Sequence, residues 1–411
     1  MRVLFIPSWY PSAARPTAGV FFRDQAEAVA AAGVDCAVLV AEQRRHRTAL
    51  SASPWTHRFQ SSDSVENGVR ELRSHGWTVP SKLARVNKLI FEAQCRALAR
   101  RWEARYPRPD VIHAHCAMWA GCAARVIARR WDTPYVLTEH MSHFATGRIG
   151  SWQARFVSAA NRDAARLLAV SAALAADMRP YSGERAIEVV PNVVDTRFFA
   201  PDAARTEVSS CTFLSVGSLV PIKGLDILLR AFAAAFCSEP AVRLVIGGEG
   251  PERKELERLA RELGIARQVQ FRGRMSREQV RTAMQRAHCF VSSSLVETFG
   301  VAMIEAMACG MWVIASDSGG PRDFLKNEFG ELVAARDEQA LAQAMRGFYR
   351  SSAWRDDRHA MASHRFVVER FSREAVASRL LQVYEAAVRE HAFSHFAERS
   401  VVQSCDHRSP P

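Results

Sequence analysis

The chain lacks a long apolar run, paired cysteines and a short-period repeat, and each absence removes a class of protein. No hydrophobic stretch approaches the roughly 20 residues that a spanning helix needs. The opening, Met1-Arg-Val-Leu-Phe-Ile-Pro7, is too short in apolar residues for a secretory signal and reads as a first strand. The nine cysteines are odd in number and scattered, with no Cys-x2-Cys pair. That argues against a disulfide framework or a zinc site and predicts a reducing, cytoplasmic setting. Cys116 and Cys122, the closest pair, read as core thiols. There is no Gly-x-Gly-x-x-Gly fingerprint, so dinucleotide redox chemistry is disfavoured. No Asp-x-Asp stands at a strand end, so no metal is expected. A basic–aromatic recognition motif is also missing, so nucleic acid is not the expected partner in spite of a net charge of +12.

The 411 residues, 48 % hydrophobic and 24 % charged, are ample for two α/β domains. Their charge is uneven: residues 1–200 carry 27 Lys+Arg against 17 Asp+Glu, and the remainder carries 28 against 26. The basic excess therefore belongs to the N-terminal half, and anionic lipid headgroups are the partner it suits. Residues 82–105 sharpen that expectation. Leu83, Val86, Ile90, Ala93 and Ala97 share one side of a predicted helix. Lys82, Arg85, Lys88, Arg96, Arg100, Arg101 and Arg105 dominate its charge, so one face can pack on a sheet while another meets a membrane surface.

Strands alternate with helices from the start. Residues 2–6 are a strand, 7–18 a loop, 19–32 a helix and 35–40 the next strand, which opens a doubly wound sheet. Gly19 opens the helix, so amides there can meet an anion. Residues 41–66 read as polar, irregular and mobile, a candidate acceptor loop. Asp110-Val-Ile-His113-Ala-His115 and Pro134-Tyr-Val-Leu-Thr138-Glu-His140 are strands ending in polar residues, where open α/β sheets place their ligands. His115 stays open between a structural hydrogen-bonder and a ligand contact. Glu139 and His143 are candidate acceptor contacts.

The densest chemistry lies in Val291-Ser-Ser-Ser-Leu-Val-Glu297-Thr-Phe-Gly300-Val-Ala-Met-Ile-Glu305-Ala-Met-Ala-Cys-Gly310. A buried strand ends, a serine loop follows, and an apolar helix runs to a C-cap glycine. With Gly300 as the first helical residue, the N–H groups of Phe299, Gly300 and Val301 are unsatisfied at the positive end of the helix and favour an anion. Glu297 lies just ahead of those amides and Glu305 about 7–8 Å along the axis. The pair reads either as a polar loop and one satisfied helix glutamate or as holders of the sugar and ribose hydroxyls of a sugar nucleotide. Glu305, an acid on an apolar helix, needs a partner.

Glu297-x7-Glu305 with Phe299-Gly300 between them resembles the signature of retaining glycosyltransferase family 4. That resemblance implies the GT-B fold: α/β, two Rossmann-like domains facing each other across a cleft. The implied boundaries are an acceptor-binding domain over 1–195, a donor-nucleotide domain over 196–372, a helix over 373–391 crossing back, and a disordered tail over 392–411. Pro191-Asn192-Val-Val-Asp195 resembles the family's Pro-Asn-Gly-Val-Asp hinge with Val193 in place of glycine, and 200–210 reads as linker. In Gly217-Ser218-Leu-Val-Pro-Ile-Lys223-Gly224, Lys223 fits the family's phosphate-binding cation; Ser218 replaces its usual arginine, for which Arg272 or Arg274 can substitute. Arg274 and Met275 follow a strand where the family's backbone holds the base. His140 matches the family's donor-contacting histidine.

The resemblance implies a retaining, metal-independent enzyme. It would move a sugar from a nucleotide-diphosphate sugar, with no further cofactor, to a glycan or lipid-linked acceptor of the bacterial envelope. A sugar-nucleotide epimerase of the same fold and a non-catalytic nucleotide-binding scaffold remain alternatives.

Overall fold

A computed structural model describes residues 1–13, 15–45, 60–78, 83–202, 210–352, 354 and 359–406. The chain forms two units. The first comprises Met1–Val170, Ala175–Val193 and Val376–Pro411; the second comprises Ser171–Leu174 and Val194–Ala375.

The first unit contains β1 (Arg2–Pro7), α1 (Val20–Ala31), β2 (Asp35–Arg45), β3 (Ser61–Glu66), β4 (Val69–Thr78), α2 (Ala84–Glu103), β5 (Val111–His115) and α3 (Cys122–Trp131). It continues with β6 (Tyr135–Glu139), α4 (Ser151–Asp163), β7 (Arg166–Ala169), most of α5 (Ala172–Met178) and β8 (Ile187–Val189). Its eight strands run in the order β3-β4-β2-β1-β5-β6-β7-β8, parallel except for the β3/β4 hairpin. Val3, Leu4, Phe5 and Ile6 are almost fully buried, as expected of a strand covered on both faces.

The second unit contains β9 (Thr212–Val216), α6 (Leu225–Phe236), β10 (Arg243–Gly247), α7 (Arg253–Glu262), β11 (Val269–Gly273), α8 (Arg277–Arg286), β12 (Cys289–Ser292) and α9 (Val301–Ala308). β13 (Trp312–Ser316), β14 (Gly330–Val333), α10 (Glu338–Arg350) and α11 (Ala360–Phe371) complete it. Its strands are all parallel, in the order β11-β10-β9-β12-β13-β14, with a core of Phe213, Phe232, Phe236 and Leu244. Both units are thus Rossmann-like. Strand order reverses beside β1 and β5 in one and beside β9 and β12 in the other, and ligands collect at such switch points.

The last helix, α12 (Arg373–Asp406), starts in the second unit and from Val376 belongs to the first. Val376, Ala377, Leu380, Val383, Tyr384 and Ala387 join Val3, Phe5, Val38 and Val111 in one core. The helix continues past 391, where a tail was expected.

Two other expectations need correction. The stretch 41–66 is not irregular throughout: β2 extends to Arg45 and β3 covers Ser61–Glu66, while 46–59 lie outside the described residues. The hairpin is made by Asn67-Gly68, both at positive φ (48° and 79°), the geometry of a tight two-residue turn. Helix α2 forms, but its packed face is Phe91, Cys95, Leu98 and Trp102, with Lys88 and Glu92 paired inside it. Leu83, Val86 and Leu89 stay 50 %, 39 % and 58 % exposed, and Ala93 and Ala97 face solvent with them. Lys82 and most of the expected linker lie outside the described residues.

Candidate active site

In the second unit the chemistry gathers at the C-terminal ends of β9 and β12. Pro221-Ile-Lys223 is a single 3-10 turn closed by Gly224 at φ 57°. A Cβ on Gly224 would lie 2.4 Å from the Ser293 carbonyl oxygen, so glycine is required by space as well as by φ. The Ser293 hydroxyl donates to the Lys223 carbonyl (3.0 Å), and the Leu295 amide donates to Ile222 (2.8 Å). These bonds tie the loop after β12 to the turn after β9. Lys223 and Glu297 therefore meet, Nζ to Oε2 at 2.5 Å.

Glu297 is fixed from a second side. Its amide donates to Ser318 (2.9 Å) and its carbonyl accepts from Gly320 (2.8 Å). Gly320 fits so closely that a Cβ there would lie 2.6 Å from the Phe299 backbone. The loop Asp317-Ser-Gly-Gly-Pro321 thus braces the main chain of Glu297.

Gly300 is the N-cap of α9 rather than its first residue, at φ 108°. None of the amides of Phe299, Gly300 and Val301 donates to another backbone group among the described residues. They are available to an anion beside the Lys223–Glu297 pair. The Phe299 ring is not: it is 3 % exposed and packs against Phe324 and Phe371. Glu305 is half-buried on α9, a little over one turn in.

The turns after β9, β10 and β11 also interlock. The Gly217 amide donates to Gly247 (2.9 Å), the Leu219 amide to Glu249 (3.0 Å) and the Gly248 amide to Gly273 (2.7 Å). Met275 rests where a Cβ of Gly247 would be, 2.4 Å from its sulfur. Ser218, Arg272 and Arg274 are exposed on this rim. The structure brings Lys223 and Glu297 into contact; it leaves both arginines on the surface rather than tied into that pair.

The first unit presents different side chains at its strand ends. His115 Nδ1 and His140 Nε2 are 3.1 Å apart, and His113 bonds Tyr384 and Thr138, each at 2.7 Å. Phe5, Phe21 and Phe22 pack around the rings. Burial holds all three imidazoles neutral: His113 and His140 are pushed down to about 3, and His115 falls well below its usual value, helped by its two neighbours. Asn192, in the expected hinge, supports His140 from the side and opposes its downward shift.

The expectation that Glu139 contacts the acceptor is overturned. It is fully buried, and its carboxylate accepts from the amides of Ala117 (2.9 Å), His140 (2.8 Å) and Met141 (2.9 Å). It holds the turns after β5 and β6 together, with burial raising its pKa and those amides lowering it. Gly19 caps α1 at φ 75°, buried against Trp9 and Phe22, so a side chain there would collide with both. His143 is half-buried and lines a cavity of about 350 Å³ with Trp9, Tyr10, Trp119 and Gln153. Ser8 organises that cavity's rim. Its hydroxyl accepts from the amides of Trp119 (2.9 Å) and Ala120 (3.1 Å) and donates to Met118 (2.9 Å). The signal missed in the sequence was Ser8-Trp9-Tyr10, three side chains of hydrogen-bonding and stacking character directly after a buried strand.

Two Rossmann-like units are an architecture shared by many enzymes, and the sequence comparisons identify this one as a glycosyltransferase. Residues 18–198 match the model of Glycosyltransferase Family 4, and residues 202–390 match that of Glycosyl transferases group 1. The chain belongs to glycosyltransferase family 4, of GT-B fold. It is similar to the glycogen synthase of Mycobacterium tuberculosis, 29 % identical over 407 residues and 95 % of each chain. It is also similar to the putative teichuronic acid biosynthesis glycosyltransferase TuaC of Bacillus subtilis, 27 % identical over 87 % of this chain and 91 % of that one. Among solved structures, sucrose-phosphate synthase from Thermosynechococcus elongatus shares the fold, with a TM-score of 0.78 at 22 % identity, covering 94 % of this chain and 98 % of that one.

Proposed function

We propose that this glycosyltransferase moves a sugar from a nucleoside-diphosphate sugar to a carbohydrate acceptor, with retention at the anomeric carbon and without a divalent metal or further cofactor. The observation that carries the reading is the Lys223–Glu297 pair held against the open amides of Phe299, Gly300 and Val301. The ammonium and the helix-start amides supply positive charge to the departing diphosphate, the role a bound cation would otherwise take. Glu297 accepts from hydroxyls of the donor sugar and Glu305 from those of the ribose. Arg274 and Met275 lie at the base, with Ser218 on the diphosphate side. His140 keeps the role the family resemblance implies, a hydrogen bond to the donor sugar.

In the reaction the bond from the anomeric carbon to the phosphate oxygen breaks while the acceptor oxygen bonds the same face of that carbon. The acceptor's proton passes to the leaving phosphate. Similarity to a glycogen synthase supports a role in polysaccharide assembly, and similarity to a teichuronic acid biosynthesis glycosyltransferase supports one at the bacterial surface. Peripheral contact with anionic lipid from the cytoplasmic side is supported by the outward Leu83, Val86 and Leu89 of α2, beside exposed Arg85, Arg96 and Arg100.

The test is a thermal-shift series with UDP, GDP and ADP, each with and without EDTA, followed by NMR of the product anomer. One nucleoside diphosphate should stabilise the protein in a concentration-dependent way, equally in EDTA. The product should keep the donor's anomeric configuration. Stabilisation that vanishes with EDTA would refute metal independence, and an inverted product would refute retention. Consumption of the donor with no acceptor present would favour an epimerase.

A further inference from the structure

Resting on the transferase reading, we infer that His115 is a positioning residue. Its Nδ1–H donates to His140 Nε2 and locks that ring, proton on Nδ1, as a hydrogen-bond donor toward the nucleotide sugar. A histidine at a strand end can bond its neighbours or a ligand, so the sequence leaves the role of His115 open. In the folded chain its ring makes one hydrogen bond among the described residues, at 3.1 Å to His140. His115 is 0 % exposed and His140 8 %. His113 is committed elsewhere, to Tyr384 and Thr138, with its ring centroid 4.3 Å from that of His115. A ring so enclosed acts on a ligand only through His140.

Two neutral imidazoles carry one N–H each, so the bond between them runs in one of two directions. In the first, His115 donates from Nδ1. Its Nε2 is then a bare nitrogen, and His140 keeps its own proton on Nδ1. In the second, His140 donates from Nε2. His115 must then carry its proton on Nε2, and His140 Nδ1 is bare.

The surroundings favour the first direction. His115 Nε2 is buried with no hydrogen-bond partner among the described residues. A ring N–H lies in the plane of its ring, and Phe5, Phe22 and His113 are inclined to the His115 plane by only 4°, 32° and 35°. An Nε2–H would run alongside these faces rather than into them, an orphaned buried donor. Asn192, itself buried, favours a proton on His140, which an amide does through its oxygen. His140 Nε2 is taken by His115, so the nitrogen left for that oxygen is Nδ1. Asn192 Oδ1 and His140 Nδ1 are both buried, and neither has a fully formed hydrogen bond among the described residues. The first direction gives that oxygen an N–H; the second gives it a bare nitrogen and orphans the His115 proton as well. The consequence lies at the ligand. A nucleotide sugar is rich in oxygen acceptors, and an N–H suits hydroxyl and phosphate oxygens alike, whereas a bare nitrogen suits hydroxyls only.

The experiment uses the full chain with isotope-labelled histidine. Two-bond proton–nitrogen NMR spectra distinguish a protonated from a bare ring nitrogen, and the signals of each ring are those lost in His140→Gln and His115→Asn. At neutral pH both rings should carry the proton on Nδ1 and leave Nε2 bare. Affinities are then measured for UDP-glucose, GDP-mannose and ADP-glucose, each beside its own nucleoside diphosphate. For the pair that binds, His115→Leu should weaken the nucleotide sugar at least fivefold and the nucleoside diphosphate less than twofold, because the unlocked ring spends less time in its binding orientation. His115→Asn keeps an N–H where Nδ1 stood and should recover most of the loss. A His140 proton on Nε2, a folded His115→Leu in which the two affinities change equally, or a His115→Asn as weak as His115→Leu would each overturn the inference. If His115→Leu does not fold, the parent spectrum and His115→Asn decide. The nucleoside diphosphates separate the two readings. If one binds but the proton sits on His140 Nε2, this inference alone fails. If none binds, the donor assignment fails, and the spectrum still decides which way the His115–His140 bond runs.

Discussion

The two switch points share a strand order and differ in almost everything placed on them. At β9 and β12 the loops are glycine-rich, the backbones nearly touch, and the charged pair Lys223–Glu297 sits half-buried between them. At β1 and β5 the loops carry tryptophan and tyrosine beside neutral imidazoles, the Glu139 carboxylate is sealed inside, and Arg15 and Glu42 share the cavity lining. One end is built from main-chain amides and a cation, which suits a diphosphate. The other is built mainly from aromatic rings and neutral hydrogen-bonding groups, with Arg15 and Glu42 among them. A shared topology thus supplies the place for a ligand, and the residues after each strand decide its chemistry.

The largest expected break in that contrast is Glu297→Ala. Transfer should fall by at least a hundredfold in a product assay while the nucleoside-diphosphate thermal shift persists; unchanged turnover would remove Glu297 from the mechanism. Gly224→Ala comes next. It adds a Cβ 2.4 Å from a backbone oxygen at φ 57°, so stability should drop by on the order of 3 kcal/mol, read by chemical denaturation. Lys223→Ala removes a charge-assisted contact and should weaken nucleotide binding by about 1.5–3 kcal/mol, or roughly 10- to 100-fold in Kd.

The first unit should reveal itself through pH. His113 and His140 have folded pKa values near 3, below the ordinary 6.5. A depressed histidine favours the folded state above 6.5 and withdraws that support as pH falls, because the unfolded chain takes up the proton first. Unfolding free energy should therefore decline from pH 7 toward pH 5. Glu139, shifted upward, acts with opposite sign around and above its ordinary value of 4.5. A stability curve flat between pH 7 and 5 would mean the imidazoles are hydrated. The smallest effect expected is on vesicles: Leu89→Glu should reduce partitioning onto anionic bilayers severalfold, and salt should do the same to the parent chain.

What could be read ahead of the structure follows the same contrast. Lys223, Glu297, Gly300 and Glu305 sit in short local patterns, where a helix start and its neighbours lie within a few residues of one another. Their places on loop, cap and helix came through, apart from Gly300 moving from first residue to cap. Glu139 did not come through, because its burial depends on three amides supplied by two separate turns. The faces of α2 were misassigned because Lys88 and Glu92 neutralise each other inside, so the packed side carries charge and the exposed side carries leucine. The aromatic cavity assembles Trp9, Trp119 and Gln153 from segments far apart in the chain. Asn67-Gly68 is a hairpin-turn pair that the reading of 41–66 as irregular passed over, and the polar edge strand Ser61–Glu66, exposed throughout, has no hydrophobic alternation to announce it.

Helix α12 has a consequence for synthesis. Tyr384 reaches His113 across 271 positions of sequence, and six residues of that helix complete the interior of a unit whose sheet was finished by Val189. During translation the earlier-made sheet must wait, with part of one face uncovered, until residues 376–387 have left the ribosome. The later-made unit carries its own interior and can mature before the earlier one is sealed.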